Sequence, residues 1–229
     1  MRAIVLPSGP VYRGIDTVHV ITPEIAESLK AEGYSWVSRY IPRDSRRLVK
    51  PDARGGDWLG CWTLSEMELG WILDSGLCLL PVQWGPTRGE VLTAEGGHET
   101  GRHARSAARA MGVPAGVHLF ADVEGNAARR SGRNGCKEWI EAWAAAVSGG
   151  DVYKAGLYIG DPGVPLTFAQ LYGLRGITSY WSAANAPVAP LPRGYAVEQD
   201  PITEVAGIQC DTDTIRADRF GDVPVLACA

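Results

Sequence analysis

The stretch GVHLFADVE, residues 116–124, decides how this chain folds. Side chains along a strand point alternately to opposite faces. Val117, Leu119, Ala121 and Val123 therefore share one face, and His118, Phe120, Asp122 and Glu124 share the other. The first set is uniformly apolar and suits packing against helices. The second predicts an interior face that ends in two acids, just before Gly125-Asn126 breaks the strand.

Working outward from this strand, apolar runs of similar length alternate with helical stretches. Before it come VYRGID (11–16), WVSRYI (36–41) and LCLLPVQWG (77–85). After it come AGLYIG (155–160), GITSYWSAA (176–184), GYAVEQD (194–200) and VAGIQCDTDTI (205–215). Between them, Thr22-Pro23-Glu24 opens a helix with a capping hydroxyl and a first-turn proline. Thr63 or Ser65 caps a second helix that stops at Gly76. Further helices are predicted over about 98–111, 137–147 and 167–173, with polar or Gly-rich loops at 42–62, 86–97 and 125–134. Strands separated by helices imply parallel crossovers, while the last strands lack full helices between them. The fold class expected is α/β: an irregular TIM-like barrel of about eight strands, in one domain spanning residues 1–229.

Composition narrows the function. A net charge of -4 gives no electrostatic case for nucleic acid. No run of about 18 apolar residues predicts a membrane span. The N-terminus lacks the pattern of a cleaved leader, so synthesis in the cytoplasm is expected, with action at a cell wall or outside the cell only after export or a phage-type release. Nothing in the sequence sets an oligomeric state. The five cysteines form no C-x-x-C pair, and Cys78 and Cys210 lie in apolar runs that predict buried thiols. His98 and His103 are five apart, not the four of a zinc helix. No metal and no cofactor is expected.

In β/α barrels, chemistry sits at the C-terminal ends of the strands. Most of the eight strands finish there with a polar or aromatic group: Asp16, Arg39 and Tyr40, Gln83 and Trp84, Asp122 and Glu124, Tyr158, Tyr180 and Trp181, Glu198 and Gln199, and Asp211 and Asp213. Acids held close in a confined mouth have their pKa values driven apart, so that one carboxyl stays protonated while another stays ionised. Glycosidic cleavage uses that division of labour. Arg39 is placed to pair with Asp16 or Asp122, and His118 to lie inside the barrel beneath the acids.

The sequence resembles the glycoside-hydrolase-like domain of unknown function found in bacterial cell-wall and phage proteins, which is related to the family 25 lysozymes. The residues that carry the resemblance are GIDT (14–17), RYI (39–41), SEMELGWILDSGLCLLPVQW (65–84), FADVE (120–124), GLYIG (156–160), YWSAAN (180–185) and VEQD…VAGIQCDTDT (197–214). The family 25 lysozymes are muramidases on an irregular β/α barrel. The resemblance implies Glu124 as general acid, with Asp122 and Asp16 as its partner carboxylates. It adds Asp211, Trp181 and Gln199 to a substrate-binding set that the strand ends extend to Tyr158, Gln83 and Arg39. It departs at CDTD (210–213), where the lysozymes have a Val-Asp-Leu-Asn-like motif, and at Glu198, where they have Trp. The expected activity is lysozyme-like hydrolysis of peptidoglycan or a related cell-wall polysaccharide. The alternatives are a glycan-binding barrel of weak or no turnover, or a secreted or phage effector domain.

Overall fold

A computed structural model describes residues 1–41, 63–85, 90–123, 125–150, 152–160, 164–184 and 192–229. In chain order the elements are β1 (Arg2–Val5), β2 (Tyr12–Asp16), α1 (Pro23–Ala31), β3 (Trp36–Ile41), α2 (Glu66–Asp74), β4 (Cys78–Gln83), α3 (Ala94–Ala110) and β5 (His118–Asp122). They continue with α4 (Gly125–Ser148), β6 (Lys154–Ile159), α5 (Phe168–Tyr172), β7 (Ile177–Ser182), β8 (Val197–Gln199), β9 (Thr203–Val205), β10 (Ile208–Ile215) and β11 (Val225–Cys228). The N-terminal hydroxyls do what their sequence context requires. Thr22, Ser65, Thr93 and Thr167 each accept a backbone N–H from the first turn of the helix that follows.

The strands close into a ring of eight, in the order β2, β3, β4, β5, β6, β7, β8, β10 and back to β2. All neighbours in the ring are parallel except at β10, which runs antiparallel to both β8 and β2. The reason is local. β8 is followed by β9 and then by a two-residue turn, Ala206-Gly207, with φ of 51° and 77°. Positive φ at both central residues is the hairpin geometry that reverses a chain at once, so β10 returns down the barrel. The eight strands of the ring are the eight that the sequence predicts.

Two apolar clusters follow from strand alternation. Ile15, Val37, Leu79, Leu119, Ala121, Leu157 and Tyr180 point outward and meet the helices. Trp36, Leu80, Val82, Phe120, Trp181, Val197 and Ile215 point inward and fill the barrel. Glycines make room for the large inner rings. A Cβ on Gly14 would lie 2.1 Å from the Trp36 indole, and one on Gly156 would lie 2.6 Å from Phe120.

Several expectations are corrected. The chain ends form a ribbon that the sequence reading left out: β1 pairs antiparallel with β11, and β11 pairs with β4 at Ala227 and Leu79. That pairing brings Cys228 to Cys78 in a disulfide with a Cα separation of 4.4 Å, so Cys78 is not a free thiol. Cys210 is a buried free thiol, as is Cys136. Residues 125–134 are helical, not a loop, because α4 begins at Gly125 and breaks only at Gly132, with φ 66°. α3 likewise starts at Ala94, within the expected loop 86–97, and the expected loop 42–62 lies outside the described residues. No described helix is long and apolar enough to cross a membrane.

Candidate active site at the mouth of the barrel

The inward side chains at the C-terminal ends of the parallel strands form one polar layer above the apolar plug. Asp16 ends β2 and pairs in register with Asp211 on β10. Asp122 ends β5 beside Tyr158 of β6. Gln199 of β8 sits opposite Asp213 of β10. Asp16, Tyr40, Trp84, Tyr158, Gln199 and Asp211 are half-buried, while Asp122, Trp181 and Asp213 lie at or beneath the floor with exposures of 3%, 1% and 1%.

Hydrogen bonds tie this layer into a fixed arrangement. The Tyr158 hydroxyl donates to Gln199 Oε1 at 3.1 Å, and Gln199 Nε2 donates to Asp16 Oδ2 at 2.6 Å. On the other side the Tyr40 hydroxyl donates to Asp122 Oδ2 at 3.1 Å. The Tyr40 ring lies 4.8 Å from Trp84, centroid to centroid. Below them Trp181 Nε1 donates to Asp213 Oδ1 at 2.8 Å, and its ring meets Trp36, Phe120 and Tyr158 edge-on. Burial pushes the Asp213 carboxyl well above the usual range, with the negative charge of Asp16 adding to it. Burial also raises Asp211. The mouth therefore holds carboxyls in unlike environments, the arrangement that separates acid from base.

Five of the expected site residues come together here: Asp16, Asp122, Asp211, Tyr158 and Gln199. Trp181 is with them but below the floor, too deep for a sugar ring to lie on it. Two others are elsewhere. Arg39 shares its strand face with Val37 and Ile41, so it points outward. Its Nε donates to Glu68 Oε1 of α2 at 2.6 Å and its Nη1 to the Thr17 carbonyl at 2.6 Å, with both members of the ion pair buried. Gln83 shares a face with Leu79; it donates to the Thr100 carbonyl and accepts from Trp143 Nε1, joining α3 to α4. Neither faces the mouth, so both leave the substrate-binding set. Glu124 lies outside the described residues.

His118 is inside the barrel but at its lower end, where it does not orient an acid. Its Nδ1 accepts the Val225 N–H at 2.8 Å and its Nε2 lies 3.1 Å from Thr178 Oγ1. Burial lowers its pKa to about 3, so it is neutral, with its proton on Nε2. Tyr40, Trp84 and Asp213 belong to the layer and were not in the expected set. Alternation would have found the first two: Trp84 follows Leu80 and Val82 at even spacing, as Tyr40 follows Trp36 and Ser38. Among the described residues no cluster of His, Cys, Asp and Glu is suited to a metal ion.

The fold defines a class, the β/α barrel shared with lysozyme-like glycoside hydrolases, and in this chain its C-terminal mouth carries acids, tyrosines and an amide. Within that class, residues 27–219 match the family described as Rv2525c-like, glycoside hydrolase-like domain, and the chain belongs to it. A Bacillus subtilis protein, uncharacterized protein YbfG, is 30% identical over 128 residues, which is 54% of this chain and 16% of that protein. The chain thus matches only a small part of its curated relative. The Mycobacterium tuberculosis Tat-secreted protein Rv2525c has a similar structure, with a TM-score of 0.65 and 20% identity over 93% of this chain and 98% of that one. A bacterial lysozyme from Streptomyces coelicolor also shares the fold, with a TM-score of 0.60 and 13% identity over 91% of this chain and 94% of that one.

Proposed function

We propose that the protein is a lysozyme-like glycoside hydrolase acting on peptidoglycan or a related cell-wall polysaccharide. The observation that carries the reading is the convergence of Asp16, Asp122 and Asp211 with Tyr40, Tyr158 and Gln199 at the C-terminal end of the barrel strands. In this reading Glu124 is the general acid, assigned from its place two residues after Asp122 in the sequence; it protonates the leaving glycosidic oxygen. Asp122, held by the Tyr40 hydroxyl, stabilises positive charge at the anomeric carbon or steers an N-acetyl group or water to it. Asp16 and Asp211 orient the sugar, and the exposed edges of Tyr40 and Trp84 give it an apolar surface.

Dye release from purified cell walls tests this directly. The wild-type protein is expected to release dye, and Glu124→Gln to lower the rate roughly 10²–10⁴-fold, the usual worth of a general acid. Equal rates, or no release by either across several wall types, would sink hydrolysis. A second reading, a wall-binding barrel without turnover, draws on the Tyr40–Trp84 pair, which can hold a sugar whether or not it is cut. Sedimentation with walls that survives Glu124→Gln and falls in Trp84→Ala, with no release, would favour it. Export supports either version. A disulfide such as Cys78–Cys228 persists in oxidising compartments, and the Rv2525c relative is described as Tat-secreted.

A further inference from the structure

Beneath the mouth, Asp213 poses a problem of proton count. It is 1% exposed, and only one of its oxygens is satisfied: Oδ1 accepts from Trp181 Nε1 at 2.8 Å, while Oδ2 has no donor among the described residues. On the adjacent strand Asp16 lies two residues along the same inward face from Gly14, the register partner of Asp213, and its carboxyl, another acid, is a hydrogen-bonding neighbour of Asp213. Two ionised carboxylates cannot bond to each other, and a buried bare anion with an open lone pair costs several kcal/mol. One proton between them removes both difficulties. Asp16 is half-buried at the rim and already accepts from Gln199 Nε2 at 2.6 Å, so it is the member suited to carry the charge. The remaining atom, Asp213 Oδ2, is the one placed to carry the proton.

We infer that Asp213 is a positioning residue: it sits under the mouth as the neutral acid, donates its Oδ2–H to Asp16, and fixes the direction of that carboxylate. The pair then holds one proton and one charge, with the Trp181 indole and the Gln199 amide holding its two ends. The ionisable groups that act on Asp213 are Asp16 from β2 and Asp211 from its own strand, both acids, so each favours the protonated form; the Trp181 indole from β7 is the donor that opposes them. Burial acts in the same direction as the acids. For Asp16 the consequence is that the Asp213 hydroxyl joins the Gln199 amide as a donor to its carboxylate, which helps hold one rotamer.

The inference rests on the hydrolase reading for what Asp16 does, but not for the state of Asp213. Asp213→Asn is the informative variant, because a neutral amide keeps both an acceptor for Trp181 and a donor for Asp16. An infrared difference spectrum between wild type and Asp213→Asn at pH 7 is expected to contain the carbonyl band of a protonated carboxyl. At pH 8 the Asn variant is expected to unfold at the wild-type temperature or above it. On cell walls it keeps the rate within about threefold and the same pH profile, whereas Asp213→Ala lowers kcat about 10–100-fold, narrows the pH profile and leaves KM little changed. A missing protonated band, or an unfolding temperature about 5 °C or more lower in Asp213→Asn, overturns the inference. If the wild type cuts no wall polymer, the hydrolase reading fails alone, and the infrared and unfolding measurements still decide Asp213.

Discussion

Single atoms decide how the mouth of this barrel is held. The Tyr40 hydroxyl donates to Asp122 Oδ2, and Tyr40→Phe removes that bond while keeping the ring. It is expected to lower kcat/KM on cell walls about tenfold, the usual worth of a hydrogen bond to a charged group, while the unfolding midpoint in urea stays put. Gly14 has the opposite profile. A methyl group there would collide with the Trp36 indole, and overpacking of this kind costs about 1–3 kcal/mol; Gly14→Ala should lower the urea midpoint without changing its slope. At this scale the sequence was legible where alternation was applied strictly and misleading where nearness to a strand end stood in for it. Asp122 follows His118 and Phe120 inward. Gln83 and Arg39 end strands too, but their parity is that of Leu79 and Val37, so they serve the helix layer.

Elements are joined by contacts that the chain order conceals. Arg39 on β3 and Glu68 on α2 form a fully buried ion pair, and Glu68 also accepts the Ile21 N–H ahead of α1. Removing one partner strands the other charge in the core. Glu68→Ala is expected to lose about 3–5 kcal/mol in chemical unfolding, far more than a surface pair would cost. From the sequence, Glu68 reads only as an acid placed to favour the start of a helix. The β1–β11 ribbon gave even less signal: two four-residue strands at opposite ends of the chain, neither long enough to show a period. The disulfide that fastens it bridges 150 residues of sequence. Cys228→Ser, or reduction of the wild type, should cost about 2–5 kcal/mol, read as a lower unfolding midpoint that a reductant no longer shifts in the variant.

Over the whole molecule, two buried groups pull stability in opposite directions with pH. His118 is neutral in the barrel with a pKa of about 3, against 6.5 when exposed. Above pH 6.5 neither state binds its proton. As pH falls from 6.5 towards 3, the unfolded chain takes up a proton that the folded one refuses, and stability drops by up to about 4–5 kcal/mol. Asp213 is raised, so its favourable contribution is complete below the ordinary aspartate value and is lost as pH rises through the folded value. Urea unfolding from pH 8 to pH 4 should therefore show wild type weakening on the acid side, with a flatter profile in His118→Gln. The residue that sets this slope is structural: it accepts the N–H of Val225 and so ties β11 to β5 at the lower end of the barrel.

What the sequence determined by itself was periodic and local. The eight ring strands, the parallel order of all of them but β10, and the inward direction of Asp16, Asp122, Tyr158 and Gln199 follow from alternation along short runs and from helices between them. Tertiary structure decided the pairings: Cys78 with Cys228, Arg39 with Glu68, β1 with β11, and Asp213 with Trp181. The physical reason is one of range. A strand's period is set by its own backbone, whereas a partner is chosen by how the whole chain packs, which brings together residues up to 226 positions apart such as Arg2 and Cys228. No periodicity within either segment encodes that meeting.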